Sequence, residues 1–214
     1  MKKNIGLVLP DLRGGGAETV MLRLACEFKK NHNVYFFLGE YKGEKIKDIS
    51  TDFNIIELGS GSGLRSVPSI IKFSRLHKID VLIGTLSMAH AVAIAKLFLS
   101  NTICISRVGN TLSEDLKNKT SVKKFLMKIY QNVLNFSDAI VVQSKFMGSD
   151  LVSVLWYVKK SNIFQIYNPI DPDELKLKAS LPSNIIVKKD DILLLGRLSY
   201  QKDVLTAVRA FSIY

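Results

Sequence analysis

The sequence has little cysteine, little proline, few acids for its bases and no long apolar run. Two cysteines in 214 residues are too few for a disulfide framework or a metal cluster. Cys26, in a helical pattern, and Cys104, in an apolar strand-like run, read as reduced core residues. No Pro-, Ser- or Gln-rich tract marks a long linker, and no internal repeat is evident. The longest apolar stretch, Ala89 to Leu99, is broken by Lys96 and falls far short of the roughly 18 residues that a spanning helix needs. Lys2 and Lys3 precede the apolar run Ile5 to Leu9, but that run is too short for a signal-peptide core and meets Pro10, Asp11 and Arg13 at once. The expectation is a cytoplasmic chain able to touch the inner face of a membrane. Acids number 19 against 30 Lys and Arg, a net charge of +11. Aromatic and basic residues are not interleaved as a nucleic-acid stacking platform requires, so no nucleic-acid partner is expected.

What is present is apolar and periodic. Hydrophobic residues make up 47% of the chain, which excludes intrinsic disorder. The length allows one domain, or one and part of a second. Ile5 to Leu9 is a short apolar run bounded by turn residues, the signature of a parallel strand buried on both faces. Val20, Leu24 and Phe28 then recur every fourth residue beside Ala17 and Met21, one face of an amphipathic helix. Further strands are expected at Val34 to Leu38, Phe53 to Leu58, Val81 to Ile83, Thr102 to Val108 and Ala139 to Val142. Helices are expected at Val67 to Leu76, Met88 to Leu99 and Val122 to Asn135. This alternation predicts an α/β fold built on a doubly wound, Rossmann-like parallel sheet.

Beyond Ser144 the rhythm changes. Lys145 to Val158 reads as helical, Ile163 to Tyr167 as extended, and Asn168-Pro169-Ile170-Asp171-Pro172 as a rigid turn. The predicted organisation is a first domain over 1–170, a linker over 171–189 and, over 190–214, one βα unit of an incomplete second Rossmann-like domain. That unit has a strand at Ile192 to Leu195, the turn Gly196-Arg197-Leu198 and a helix from Asp203. One strand and one helix cannot bury a core of their own, so the expectation is the front portion of a longer two-domain protein.

Two loops carry chemistry. Gly14-Gly15-Gly16 lies between the first strand and first helix, where glycines permit close backbone approach and a helix N-terminus offers unpaired N–H groups to an anion. It is not a P-loop, because no Gly-Lys-Ser/Thr follows, and as a dinucleotide fingerprint it fails at Thr19. The same glycines also fit a plain tight turn, and Glu18 fits a first-turn acid complementing the helix dipole. In the second unit, Arg197 offers a planar fork for phosphate oxygens and Lys202 a flexible point charge, a pairing suited to a diphosphate leaving group. Two solvated cations are the bland alternative.

These segments resemble the family 4 retaining glycosyltransferases of the GT-B fold, which transfer sugars from nucleotide-sugar donors. Gly14-Gly15-Gly16-Ala17-Glu18 is similar to their G-G-A-E loop, Asn168-Pro169-Ile170-Asp171 to their N-P/G-I/V-D turn, and Gly196-Arg197-Leu198 with Gln201-Lys202 to their G-R-L-x-x-Q-K-G segment, with Asp203 in place of the commoner glycine. The resemblance implies a GT-B N-terminal, acceptor-side domain. It implies donor-diphosphate binding by Arg197 and Lys202, and places Gly15, Gly16 and Glu18 in a phosphate and acceptor loop. A nucleotide-sugar is then the co-substrate, with no cofactor and no metal, and a glycan or lipid-linked saccharide the acceptor, in cell-surface polysaccharide synthesis. The family's E-x7-E pair has no counterpart here, so this chain alone is expected to be inactive.

His90 lies where the family often places a cleft histidine, although a lone His is more often a packing residue. Asn110, after the fifth strand, is a candidate for acceptor hydroxyls or a turn cap. Lys117, Lys119, Lys123, Lys124 and Lys128 oppose an apolar stripe of Val122, Leu126, Ile129 and Val133. The favoured reading is a helix packed on the core with a solvated basic face; the sharper one is docking on an anionic membrane surface. Two alternatives of other classes stay open: a dinucleotide-binding Rossmann protein with Glu40 as ribose ligand, and a non-catalytic anion- or membrane-binding module.

Overall fold

The computed structural model describes residues 1–49, 53–117, 119–181, 191–194, 196 and 203–213. The chain divides into two compact units, Met1–Pro169 and Ile170–Tyr214.

The first unit is built on seven parallel strands: β1 (Asn4–Leu9), β2 (Asn33–Leu38), β3 (Asn54–Glu57), β4 (Val81–Thr85), β5 (Ile103–Arg107), β6 (Ala139–Val142) and β7 (Ile163–Gln165). Their order is β3-β2-β1-β4-β5-β6-β7, the doubly wound arrangement extended by one strand. The helices between them are α1 (Gly16–Lys29), α2 (Gly63–Leu76), α3 (Ser87–Lys96), α4 (Leu112–Leu116), α5 (Ser121–Asn132) and α6 (Lys145–Val154). Central strands are apolar on both faces because helices cover both. On one face Ile5, Leu7 and Leu9 pack with Val34, Phe36 and Leu38 beneath Met21, Leu22 and Ala25 of α1. On the other, Val8, Phe37 and Leu82 meet Val67 and Ile70 of α2 and Met88, Ala91, Val92 and Ala95 of α3. Each such buried Leu, Ile or Phe contributes about 1.5–3 kcal/mol. Glycine at position 6 is required by packing: a Cβ there would lie 2.6 Å from the Phe37 ring and 2.7 Å from Leu82.

The strands expected in the first domain all form, some with shifted ends, whereas the one expected at Ile192 to Leu195 does not form over its described residues. β3 is an edge strand whose residues are mostly exposed, and α6 stops at Val154 rather than running to Val158. The sequence reading leaves out α4 and the 3-10 helix Glu44–Asp48. Cys104 is buried, but Cys26 is exposed. It lies on the outer side of α1, whose inner side is taken by Met21, Leu22 and Ala25, so the core reading of Cys26 is corrected.

The larger correction concerns α5. Its apolar stripe is not core: Val122, Phe125, Leu126 and Ile129 are 70%, 59%, 59% and 42% exposed. Gln131 is the buried residue of this helix, donating Nε2 to the Leu112 carbonyl at 2.8 Å. Lys117 pairs with Glu114, so the basic row that remains is Lys119, Lys123, Lys124 and Lys128.

In the second unit, α7 (Pro172–Ser180) fills much of the segment read as linker. Proline at its first position costs no hydrogen bond, and the Asp171 carboxylate accepts from the Asp173 N–H at 3.0 Å. α8 (Val204–Ile213) follows Asp203, which has a φ of 45°. Residues 191–194 carry no strand, and Leu195 lies outside the described residues.

Candidate functional site

In a parallel sheet the loops at the carboxyl ends of the strands form the binding side, deepest where successive connections leave in opposite directions. Here that point lies between the paired strands β1 and β4. Two helix N-termini start there, α1 after β1 and α3 after β4, each bringing positive potential.

The β1–α1 loop is anchored by Leu12 N–H donating to the Lys42 carbonyl at 2.9 Å and Lys45 N–H donating to the Leu12 carbonyl at 3.1 Å. Asp11 is buried and accepts from Arg13 Nε at 2.8 Å and Nη2 at 2.6 Å. Burial pushes the Asp11 carboxyl up, but the Arg13 hydrogen bonds and charge outweigh it and hold the pKa below the usual value. Gly14 has a φ of +104°, open to glycine without strain. Gly15 is extended and caps α1. A Cβ on Gly15 would lie 2.5 Å from Glu18 Oε2, whereas one on Gly16 would meet nothing within 4 Å. Gly15, Gly16 and Glu18 are thus brought together at the start of α1, with the buried Glu18 carboxylate folded back over the first turn. That is the arrangement of an acid complementing the dipole, and it leaves the open space over Gly16.

At the end of β4 the chain turns directly into α3. Leu86 is held at φ 57°, an uncommon conformation for a branched residue. Gly84 permits the turn, since a Cβ there would lie 2.5 Å from the Met88 carbonyl oxygen. His90 occupies the first turn of α3, its ring stacked on Tyr130 with centroids 4.2 Å apart. Neither ring nitrogen has a hydrogen-bond partner, and burial pushes the pKa down to about 4, so the imidazole is neutral at pH 7. Asn110 follows β5 and is exposed. Glu40, after β2, is engaged by Lys42 and by the Gly61 N–H, which hold its pKa low; the dinucleotide reading needs that carboxylate for a ribose. Arg197 and Lys202 lie outside the described residues.

One constellation escapes sequence reasoning. Arg107, last residue of β5, is 5% exposed. It donates Nη1 to Thr85 Oγ1 at 3.0 Å and Nη2 to Asn168 Oδ1 at 2.7 Å. Asn168 Nδ2 in turn donates to Gln143 Oε1 at 3.1 Å. Polar side chains from the carboxyl ends of β4, β5 and β6, and from the segment after β7, therefore meet around one guanidinium. The available signal is an arginine closing the strand Ile103–Arg107, two residues before Gly109.

Two surface depressions, one lined by Ile79, Asp80 and Thr102 and one by Ser137, Ile140 and Asn162, lie at the amino ends of the strands, away from these loops. Among the described residues no three His, Cys, Asp or Glu side chains gather as a metal requires, and no helix is long and apolar enough to cross a membrane.

The comparisons agree with this geometry. A sequence model of Glycosyltransferase Family 4 matches residues 14–174. Anabaena HepE, solved in complex with UDP-glucose, is 15% identical with a TM-score of 0.59, covering 82% of this chain and 49% of that one. A glycosyltransferase from Rickettsia africae is 19% identical with a TM-score of 0.57, over 86% and 51%. Sucrose-phosphate synthase from Thermosynechococcus elongatus is 10% identical with a TM-score of 0.59, over 85% and 53%. The chain thus spans about half the length of these structures, and at these identities they establish a shared fold. No curated protein gives a significant match.

Proposed function

Because the chain belongs to Glycosyltransferase Family 4, we propose that it forms the acceptor-side half and diphosphate turn of an enzyme that transfers a sugar from a nucleotide-sugar donor to a glycan or lipid-linked acceptor. The observation that carries the reading is the glycine loop of the matched segment at the sheet's switch point, with open space over Gly16 at the start of α1. Anions are favoured there by the N–H groups and dipole of the helix. Transfer proceeds with retention at the anomeric carbon, as the motif resemblance implies, and rests on donor placement and stabilisation of the leaving diphosphate rather than on a protein nucleophile. Arg197 and Lys202 supply that stabilisation, the fork of the first and the point charge of the second dividing the phosphate oxygens. No metal or cofactor enters this scheme.

The acceptor side works at the cytoplasmic face of a membrane, in cell-surface polysaccharide synthesis, with α5 resting on anionic lipid. The exposed row Val122, Phe125, Leu126 and Ile129 beside Lys123, Lys124 and Lys128 supports this, since an interfacial helix inserts its apolar face while its cations meet headgroups. Exposed Trp156 extends the row, with Lys128 Nζ 5.9 Å from its ring centroid.

The transferase reading is tested by thermal-shift and ligand-observed NMR titration of the chain with UDP- and GDP-sugars. Binding of at least one nucleotide-sugar is expected, lost in Arg197→Ala and Lys202→Ala. Binding to none of them, or binding indifferent to both substitutions, removes the reading.

A further inference from the structure

Among the described residues three charged side chains are buried, Asp11, Glu18 and Arg107, and two have an evident counterpart. Asp11 is held by Arg13, and Glu18 lies over a helix N-terminus. Arg107 alone meets only neutral oxygens, those of Thr85 and Asn168. Among the described residues no carboxylate pairs with it. Burial, with no acid opposing it, pushes its pKa down. A guanidinium stays charged regardless, so the fold keeps a desolvated cation at a net cost.

The surroundings show where a counter-charge fits. A Cβ built on Gly109 would lie 3.5 Å from Gln143 Nε2 and 3.7 Å from Arg107 Nη1. One point in space is therefore within reach of two N–H donors, and it is empty because residue 109 has no side chain. Asn168 fixes both donors, accepting from Arg107 and donating to Gln143 Oε1, which turns the Gln143 N–H groups away from Asn168. Gly109 is only half-buried, so a ligand can arrive over it. Two fixed donors, one of them cationic, facing one small space and backed by neutral anchors, suit an oxyanion.

We propose that the space over Gly109, between Arg107 and the Gln143 amide, seats an oxyanion of the acceptor, a phosphate or a carboxylate. The word acceptor rests on the transferase reading; the oxyanion chemistry does not. This seat lies at β5, two strands from the glycine loop at β1, a lateral separation of about 10 Å at the usual strand spacing. The structure therefore assigns it to a different ligand group from the one over Gly16.

Ligand-observed NMR titration with glucose, glucuronate, glucose 1-phosphate and UDP tests the assignment. Glucuronate or glucose 1-phosphate binds about tenfold tighter than glucose, the worth of one good charged hydrogen bond, and which of the two gains tells carboxylate from phosphate. Arg107→Gln abolishes the preference. Gly109→Val does the same without changing residue 107; its Cβ makes only ordinary contacts, and an unchanged urea midpoint checks that the fold is kept. UDP affinity is unchanged in both variants. Equal binding of acidic and neutral sugars overturns the seat, as does a preference that survives Gly109→Val. Loss of UDP binding in either variant gives the seat to the donor and overturns its assignment to the acceptor. Nucleotide-sugar binding without acid preference sinks this proposal alone, and acid preference without nucleotide-sugar binding sinks the transferase reading alone.

Discussion

His90, half-buried with both ring nitrogens enclosed, and Arg107, buried, lie near the carboxyl ends of neighbouring strands and differ in what titration does to them. The guanidinium keeps its charge, whereas the imidazole gives its charge up. The folded His90 pKa is about 4 against an ordinary 6.5, lowered by burial. A depressed histidine favours the folded state above the unfolded pKa, and that advantage is lost as pH falls from 6.5 towards 4, where the unfolded chain binds a proton that the folded chain refuses. Between pH 7.5 and 5.0 this linkage amounts to about 2 kcal/mol. His90→Phe keeps an aromatic ring against Tyr130 and removes the titration together with two unpartnered ring nitrogens. Urea unfolding at the two pH values should show wild type losing about 2 kcal/mol more than the variant on acidification. Equal losses in the two proteins would mean that the imidazole is hydrated in the folded state and that its burial is not the controlling feature.

Elements were legible where one physical rule decided them. Parallel strands buried on both faces are written as apolar runs, so β1, β2, β4, β5 and β6 could be read directly from Ile5 to Leu9 and its successors. The 3-10 helix Glu44–Asp48 and the short α4 have too few apolar positions to set a period. For α5 the period was correct and its environment was not, because a stripe at helical spacing states that one face is apolar and leaves open what covers it. Arg107 was legible as a strand end, but its burial depends on Thr85 and on Asn168, which lies 61 residues away along the chain. Glycines show the same division between a pattern and its cause. Gly16 and Gly63 both begin helices, yet a Cβ at Gly16 meets open space while one at Gly63 would sit 2.4 Å from the Ser87 carbonyl oxygen at the start of α3. Gly63→Ala is therefore expected to force α2 away from α3 and to cost on the order of 1–3 kcal/mol. Gly16→Ala should leave stability level or raise it by up to about 1 kcal/mol, while weakening nucleotide-sugar binding over the loop. Urea midpoints paired with UDP-sugar titrations separate the two, and a strongly destabilised Gly16→Ala would return that glycine to a purely structural role.

For the molecule as a whole the question is whether its net charge of +11 acts as a diffuse field or through one surface. A diffuse field attracts an anionic bilayer in proportion to total charge and fades as the Debye length shrinks from about 10 Å at 0.1 M salt to about 3 Å at 1 M. A docked helix adds buried apolar area, which salt does not screen. Two triple reversals change the formal charge equally: Lys123, Lys124 and Lys128 to Glu on α5, and Lys2, Lys3 and Lys47 to Glu, none of which lies on that helix. If α5 is the docking element, co-sedimentation with vesicles containing phosphatidylglycerol falls to background for the first set and stays near wild type for the second. Phe125→Ser with Leu126→Ser then removes the part of the binding that survives high salt. If both triple reversals weaken binding alike, the field is diffuse and the exposed stripe of Val122, Phe125, Leu126 and Ile129 needs another occupant. The comparison is decisive because charge is held constant while position changes, and position is the property of α5 that the fold revealed and the sequence period left open.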